Sequence, residues 1–493
     1  MRIDQVALLP AYCAAGTALL AFAGDLIAPG RARLVVALTA AGAVTTGVVA
    51  VLVGRGPTRA TFCAGPVGCS YVADHTGALV AALFAGLTLA VLGLSVATGV
   101  PMGEYCFLLG CSMAGGVVLG YARDLISLIV AIETLTLPLY LLVGLRGRPA
   151  AGSRSAVEGA SAAITFFVVS VVSAAVALLG AALLYAVTGA VHFTAVAAAL
   201  AGHPDARTAP LTGAAIVLLL AGLSFKVAAV PFHAWAPAAY DGGPVPVAAY
   251  LSTASKLGGV IAILSVTARA LGPALNLAGP ALALLAVLTM TVGNLAALRQ
   301  VRMVRLLAWS SIAQAGYILA PLGALALSRG RTPEAVGTAV AASLGYTFFY
   351  VVLEVGAFAA VVALRGAFDG GAISDYRGAF RRAPWVTAAF VLALVGLAGL
   401  PPGLAGLFAK VVVVRSLLDG GSVWLAVVVA VNAVIGLAYY VRIAAALLAP
   451  DPAATVAPVR PASRWPVLAA LGAATLVAIV VGVAPQLVLA AVR

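Results

Sequence analysis

Apolar stretches of about 20 residues recur along the whole chain, separated by short connections rich in arginine, glycine and proline. Each stretch is long enough to cross a hydrocarbon core of roughly 30 Å as a helix. About fourteen spans are predicted, beginning near residues 5, 32, 78, 103, 125, 160, 211, 246, 272, 306, 336, 386, 424 and 465. No segment reads as a separate soluble domain, so the expected fold is an all-α polytopic membrane protein. The first apolar run follows "MRIDQ" without a suitably framed small-residue cleavage site, and is read as a retained span.

Two spans are interrupted. Pro231 in "KVAAVPFHAW" and Pro401-Pro402 in "AGLPPGLAGLFAK" each remove a backbone donor and clash with the preceding turn. Broken helices are tolerated inside a membrane where they border protein or water. The breaks fall in corresponding parts of the two halves, a pattern expected of transporters built from internal repeats with an ion site at mid-membrane. The predicted organisation is therefore N-terminal helices over 1–100, a first half over 101–270, a second, inverted half over 271–450, and a C-terminal loop and last helix over 451–493.

Composition agrees. Of 493 residues, 63% are hydrophobic and 9% charged, against roughly 25% charged in a soluble domain. Arginines cluster in alternate loops: Arg31 and Arg33; Arg146, Arg148 and Arg154; Arg299, Arg302 and Arg305; Arg365, Arg377, Arg381 and Arg382; Arg460 and Arg464. The positive-inside rule makes these loops cytoplasmic and both termini external. The net charge of +13 thus reflects topology and contact with anionic lipid, and no nucleic-acid partner is expected. Cys63 and Cys69 fall in an external loop, where a disulfide and two unpaired residues are both open readings. Cys13, Cys106 and Cys111 read as buried small residues. No cysteine spacing suits an iron–sulfur cluster, so neither a redox centre nor a bound metal is expected in this chain.

The informative residues are the charges inside the spans. Only three lysines occur, Lys226, Lys256 and Lys410, and all lie in apolar runs; Glu133 lies in "VAIETLTLPLYLL" and Glu354 in "VVLEVGAF". A charge at mid-bilayer costs roughly 2.5–3.5 kcal/mol on insertion scales, so it needs water or a partner. Snorkelling to the interface and static pairing between helices are the structural readings. Titration is the functional one, because a desolvated lysine can lose its proton whereas arginine cannot. At about 7 Å and an effective dielectric near 20, a Glu–Lys pair is worth roughly 2.4 kcal/mol, nearly two pKa units. Pairing and desolvation are therefore comparable, and a small change in separation would switch the lysine. His233, two residues past Pro231, is a candidate relay near neutral pH, with helix packing as its alternative. Ser252, Thr253 and Ser255 beside Lys256, and Tyr317, Tyr346 and Tyr350, are candidate polar lining.

The segments "FKVAAVPFHAWAPAAYDGGPVPVAAYLSTASK", "NLAALRQVRMVRLLAWSSIAQAGY", "AGLPPGLAGLFAK" and "GLAYYVRIAA" resemble the antiporter-like membrane subunits of bacterial NADH:quinone oxidoreductase, respiratory complex I, and most of all its subunit N. The likeness covers roughly residues 100–450 and extends to subunits of cation/proton antiporters. It implies a proton-translocating subunit of the bacterial inner membrane, working with other membrane subunits of complex I. Glu133 and Lys226 would form the controlling pair, Lys256 the central lysine, and Lys410 the group from which the proton leaves. NADH, FMN, iron–sulfur clusters and quinone would belong to partner subunits. A multisubunit cation/proton antiporter is the rival reading, and a subunit that has lost pumping a third. Two departures stand out. Thr165 falls where many members carry a lysine, and the spacing from the second proline pair to Lys410 is one residue longer than usual, which a local bulge would absorb.

Overall fold

The computed structural model describes residues 3–65, 68–96, 98–145, 154–450 and 465–492. Arg146, Arg148, Arg460 and Arg464, the side chain of Arg154 and most of the C-terminal loop lie outside them. Among the described residues, twelve continuous helices are long and apolar enough to cross a membrane, and two broken ones bring the spans to the expected fourteen. They are α1 (Gln5–Ile27), α2 (Ala32–Gly54), α3 (His75–Ser95), α4 (Met102–Tyr121), α5 (Leu125–Gly144) and α6 (Arg154–Thr188). The first broken span is α7a (Pro210–Lys226) with α7b (Trp235–Gly242). Then come α8 (Val245–Ala270), α9 (Gly272–Leu298), α10 (Met303–Gly323) and α11 (Pro333–Arg365). The second broken span is α12a (Pro384–Ala398) with α12b (Leu404–Asp419), followed by α13 (Val423–Leu448) and α14 (Trp465–Val483).

Helix starts follow local chemistry. Asp4, Asp74 and Asp124 cap α1, α3 and α5 by accepting the first free N–H groups, and Pro210, Pro333 and Pro384 occupy first-turn positions where no donor is needed. Spans α4 to α8 and α9 to α13 form two sets of five with matching neighbours. α4 packs on α5 as α9 packs on α10, α5 on α6 as α10 on α11, and α6 on α7a as α11 on α12a. Five is odd, so the second set enters from the opposite side and the repeat is inverted. α8 is buried along its length except at Ser265, Ala268 and Arg269 near its end, and α14 returns to pack against both α11 and α3.

Loop contacts sort the connections onto two sides, external and cytoplasmic by the positive-inside rule. On the external side, strands β1 (Arg59–Cys63) and β2 (Cys69–Ala73) form a hairpin closed by a Cys63–Cys69 disulfide, which resolves the open reading of that loop. Tyr71 bridges to Ala122 and Asp124 to His192, while Asp74 pairs with Arg123 at 2.5 Å and Arg269 at 3.8 Å. Of the other cysteines, Cys106 is buried as expected, but Cys13 and Cys111 are only partly so, because each lies toward the rim of its helix bundle.

On the cytoplasmic side, Arg302 holds Asp241 through Nε, at 2.8 and 3.0 Å, and Asp369 through Nη2 at 3.0 Å. The Asp241 bonds raise the guanidinium above its ordinary value. Partial burial pushes the Asp369 carboxyl up, but the Gly371 N–H and the Arg302 charge outweigh it and hold it below the usual range. A depressed carboxyl stabilises above its unfolded pKa, about 3.9, and loses that contribution as pH falls through its folded value. Arg302→Ala should lower the unfolding midpoint in detergent at pH 7, with a cost of about 1–3 kcal/mol from the lost charged hydrogen bonds. The deficit should shrink below about pH 4, where the parent also loses the Asp369 anion.

Candidate functional site

The first cluster lies where α5, α6 and α7a meet. Lys226 ends α7a because the next residues cannot continue it: Ala228 takes a left-handed φ of 56° and Pro231 follows. The freed groups find other partners. Phe225 O accepts from the Trp235 indole at 3.2 Å, and Val230 N donates to Thr289 Oγ1 at 3.0 Å. The lysine is 4% exposed, and its Nζ lies 2.7 Å from Glu133 Oε1. It also donates to Ser170 Oγ at 3.1 Å and Thr136 Oγ1 at 3.3 Å, and Tyr140 donates to Ser170 at 2.5 Å. Glu133 is less enclosed, with 30% of its side chain exposed at the edge of the bundle. The amine is thus enclosed by one carboxylate and two hydroxyls.

The second cluster is central. A π-helical turn over Leu251–Ser255 leads into Lys256, and such widened turns interrupt the regular ladder of carbonyl acceptors. Ser252 O consequently accepts from Tyr350 OH of α11 at 2.8 Å. Lys256 Nζ donates to the carbonyl of Ser311 and, at 2.7 Å, to its hydroxyl, which also bonds Tyr350 OH at 2.8 Å. One turn on, Gly259 lets α8 approach α7a: a Cβ there would stand 2.9 Å from Lys226 Cβ. Apolar packing, with no direct hydrogen bond among the described residues, joins the two lysine clusters.

A separate polar cluster lies toward α12. Gln314 donates to Tyr440 OH at 3.0 Å and to Leu397 O at 3.1 Å, and accepts from Tyr346 OH at 2.6 Å. Asn294 donates to Tyr317 OH at 2.9 Å and accepts from Tyr439 OH at 3.0 Å. Lys410 sits 5.3 Å over the Tyr317 ring and donates to Ala398 O, a carbonyl freed by the second break. Here Gly406 meets the end of α12a so closely that a Cβ would lie 1.7 Å from Gly396 O. The bulge expected before Lys410 is absent among the described residues. Instead α12b is continuous α-helix from Leu404.

His233 is not brought to either lysine cluster. It is half-buried in the first break with its ring 5.2 Å from that of Trp309, and its Nδ1 has no hydrogen-bond partner. Among the described residues, no group of three or more His, Cys, Asp or Glu side chains could hold a metal ion.

With that geometry in hand, the chain can be set beside known proteins. The family described as "NADH:quinone oxidoreductase/Mrp antiporter, TM" matches residues 122–436. The chain belongs to this family. It is 60% identical to NADH-quinone oxidoreductase subunit N of Salinispora tropica, over 99% of this chain and 98% of that one. It is 42% identical to subunit N 2 of Streptomyces griseus, over 89% and 82%. Among solved structures it resembles a chain of respiratory complex I from Thermus thermophilus, with 29% identity, a TM-score of 0.78 and coverage of 98% and 99%. A chain of the Mrp complex from Dietzia shares the fold at a TM-score of 0.80 and 22% identity, over 98% and 96%.

Within this NADH:quinone oxidoreductase/Mrp antiporter family chain, α6 requires a correction. Thr165 is exposed on the outer surface of α6, so it is not the residue that meets the pair. Ser170 is, being fully buried and bonded to Lys226. Five residues separate them, which is 500° of helix and so a markedly different face. Sequence reasoning also missed Thr136, Ser311, Gln314, Asn294 and Tyr440. One signal was readable: Ser310, Gln314 and Tyr317 recur at spacings of four and three, the period of one helix face.

Proposed function

We infer that this chain is the antiporter-like, proton-translocating subunit N of a bacterial NADH:quinone oxidoreductase, a multi-span plasma-membrane protein working among other membrane subunits. NADH, FMN, the iron–sulfur clusters and quinone are assigned to partners, and this chain contributes the proton path. We divide it as the sequence suggests, with proton-handling halves at 101–270 and 271–450.

One observation carries the mechanism: the 2.7 Å pair between Glu133 and the enclosed Lys226. With Glu133 close, the ammonium is stabilised; with Glu133 withdrawn, desolvation favours the neutral amine and the proton leaves. The N–H bond of Lys226 breaks, and the proton is taken by the neutral amine of Lys256, which becomes the ammonium. From there it passes through the hydroxyl and amide groups around Gln314 and Tyr317 to Lys410, and out. The break at Val227–Ala234 gives α7 a joint at which Lys226 can move without unravelling the helix. His233, beside that joint, is assigned to proton supply from the cytoplasmic half of α7. Each charge moved against 100 mV costs about 2.3 kcal/mol, similar to what one Glu–Lys pair can hold.

The test is extraction of a tagged chain in gentle detergent. NADH-oxidising peripheral subunits should copurify, and inverted membrane vesicles should acidify their lumen on NADH addition without sodium. Copurification with antiporter subunits alone, and sodium-dependent exchange without NADH, would replace this reading with the antiporter one.

A further inference from the structure

Glu354 is left over from the path just described. It lies on α11 with 0% exposure, and neither carboxylate oxygen has a hydrogen-bond partner. An isolated carboxylate in such a place is costly without a partner. Its surroundings are polar nevertheless. It follows Tyr350 by four residues and therefore shares its helix face. It interacts electrostatically with Lys256 from α8, Tyr240 from α7b and Tyr440 from α13. Tyr350 and Tyr240 both reach Ser311, the hydroxyl that holds Lys256. Of the other helices packed on α11, α12a and α14 carry no titratable side chain; α10 offers Arg305 and Tyr317, α12b Lys410, Arg415 and Asp419, and α3 His75 at its outer end.

We propose that Glu354 is a proton-storing site that exchanges its proton with Lys256, so that a second carboxyl–amine pair, joining the two halves, follows the Glu133–Lys226 pair. The proposal rests on the proton-translocating function above. A proton arriving from Lys226 forms an N–H bond on Lys256. The new ammonium draws out the anion of Glu354, whose O–H bond breaks, and the released proton goes through the Tyr440–Gln314 hydroxyl and amide network toward Lys410. Lys256 then transfers its proton to the carboxylate, restoring the neutral pair. Storage beside the central lysine lets one proton leave before the next amine is vacated, which opposes backflow.

The experiment uses the assembled complex carrying Glu354→Gln, which keeps shape and polarity but holds no exchangeable acid proton. Oxidation of NADH by dye acceptors should be unchanged, while NADH-driven lumen acidification should fall about tenfold or more, since positioned proton-transfer groups contribute roughly 10²–10⁴-fold. Glu354→Asp should recover part of it. A packing role predicts full pumping by the Gln variant, and that result overturns the proposal. Infrared difference spectra on NADH addition supply a second measurement that survives failure of the Gln variant to assemble. A protonated-carboxyl band should respond and should shift in frequency in Glu354→Asp; no such band overturns the proposal. If Lys226→Ala stops pumping and Glu354→Gln does not, this proposal falls alone; if neither affects pumping, the underlying functional reading falls too.

Discussion

Replacing Lys226 by alanine in the assembled complex should leave NADH oxidation by dye acceptors intact and remove most NADH-driven proton translocation. The amine is bonded to Glu133, and Ser170 and Thr136, which also surround it, are hydroxyls. Without it, an excess proton would have to cross an apolar contact between α7a and α8 that Gly259 has made tight. An added barrier of only about 3 kcal/mol, the lower range for an unpaired charge in the bilayer, slows a step roughly a hundredfold. Stability should suffer less, because the hydroxyls left behind keep other partners: Ser170 still accepts from Tyr140 and Thr136 still donates to Ile132 O. Purified complex should therefore keep its subunit complement, and lumen acidification per NADH oxidised is the quantity to measure. Unchanged acidification would mean that the buried pair only holds α5 to α7a, and would leave a structural subunit.

How much of this was legible beforehand depends on what kind of signal each residue sends. Lys226, Lys256 and Lys410 announced themselves because an amine in an apolar run has few inexpensive explanations, and all three occupy polar positions inside the bundle. The two breaks were equally plain, since proline leaves a mark no neighbour can hide. The rotation of each helix was not legible. In water, an apolar stripe tells the buried face from the exposed one; in lipid both faces are apolar, so Thr165 and Ser170 look equivalent on paper although one is exposed and the other is enclosed beside Lys226. Hydroxyls add to the ambiguity because many in these spans simply bond their own helix. Thr134, for example, donates to Val130 O at 2.8 Å and faces outward, whereas Thr136, two residues later, makes the same kind of bond to Ile132 O and also accepts from the lysine. Glu354 was visible as an acid but not as a neighbour of Lys256, because the two are almost a hundred residues apart and meet only through the packing of α8 on α11.

Substituting Lys256 by arginine should stop translocation almost as completely as alanine would, and this separates charge from titration. Arginine keeps the positive charge, the apolar stem and donors for both Ser311 oxygens, so any role that needs only a fixed cation at the centre of the bundle should survive the change. What it cannot do is give its proton up, because its pKa above about 12 keeps it charged in proteins. A relay that requires the central group to be empty once per cycle would then be blocked at the step where Lys226 discharges. The expected result is an assembled complex with unaltered dye-linked NADH oxidation and acidification reduced about a hundredfold, the scale of a missing proton-transfer group. Extra bulk finds little room on any side: a Cβ at Gly258 would lie 2.3 Å from Leu135 and one at Gly259 2.7 Å from Val227, and Leu257 and Ala254 are fully enclosed, so Lys256→Gln is the companion that removes the charge without adding volume. Loss of pumping in both variants identifies proton exchange as the function of this amine, because one of them preserves the cation and the other preserves the space. Pumping by the arginine variant at the parent rate would show that the central lysine is a permanent counter-charge, and the stepwise path through Lys226, Lys256 and Lys410 would have to be abandoned.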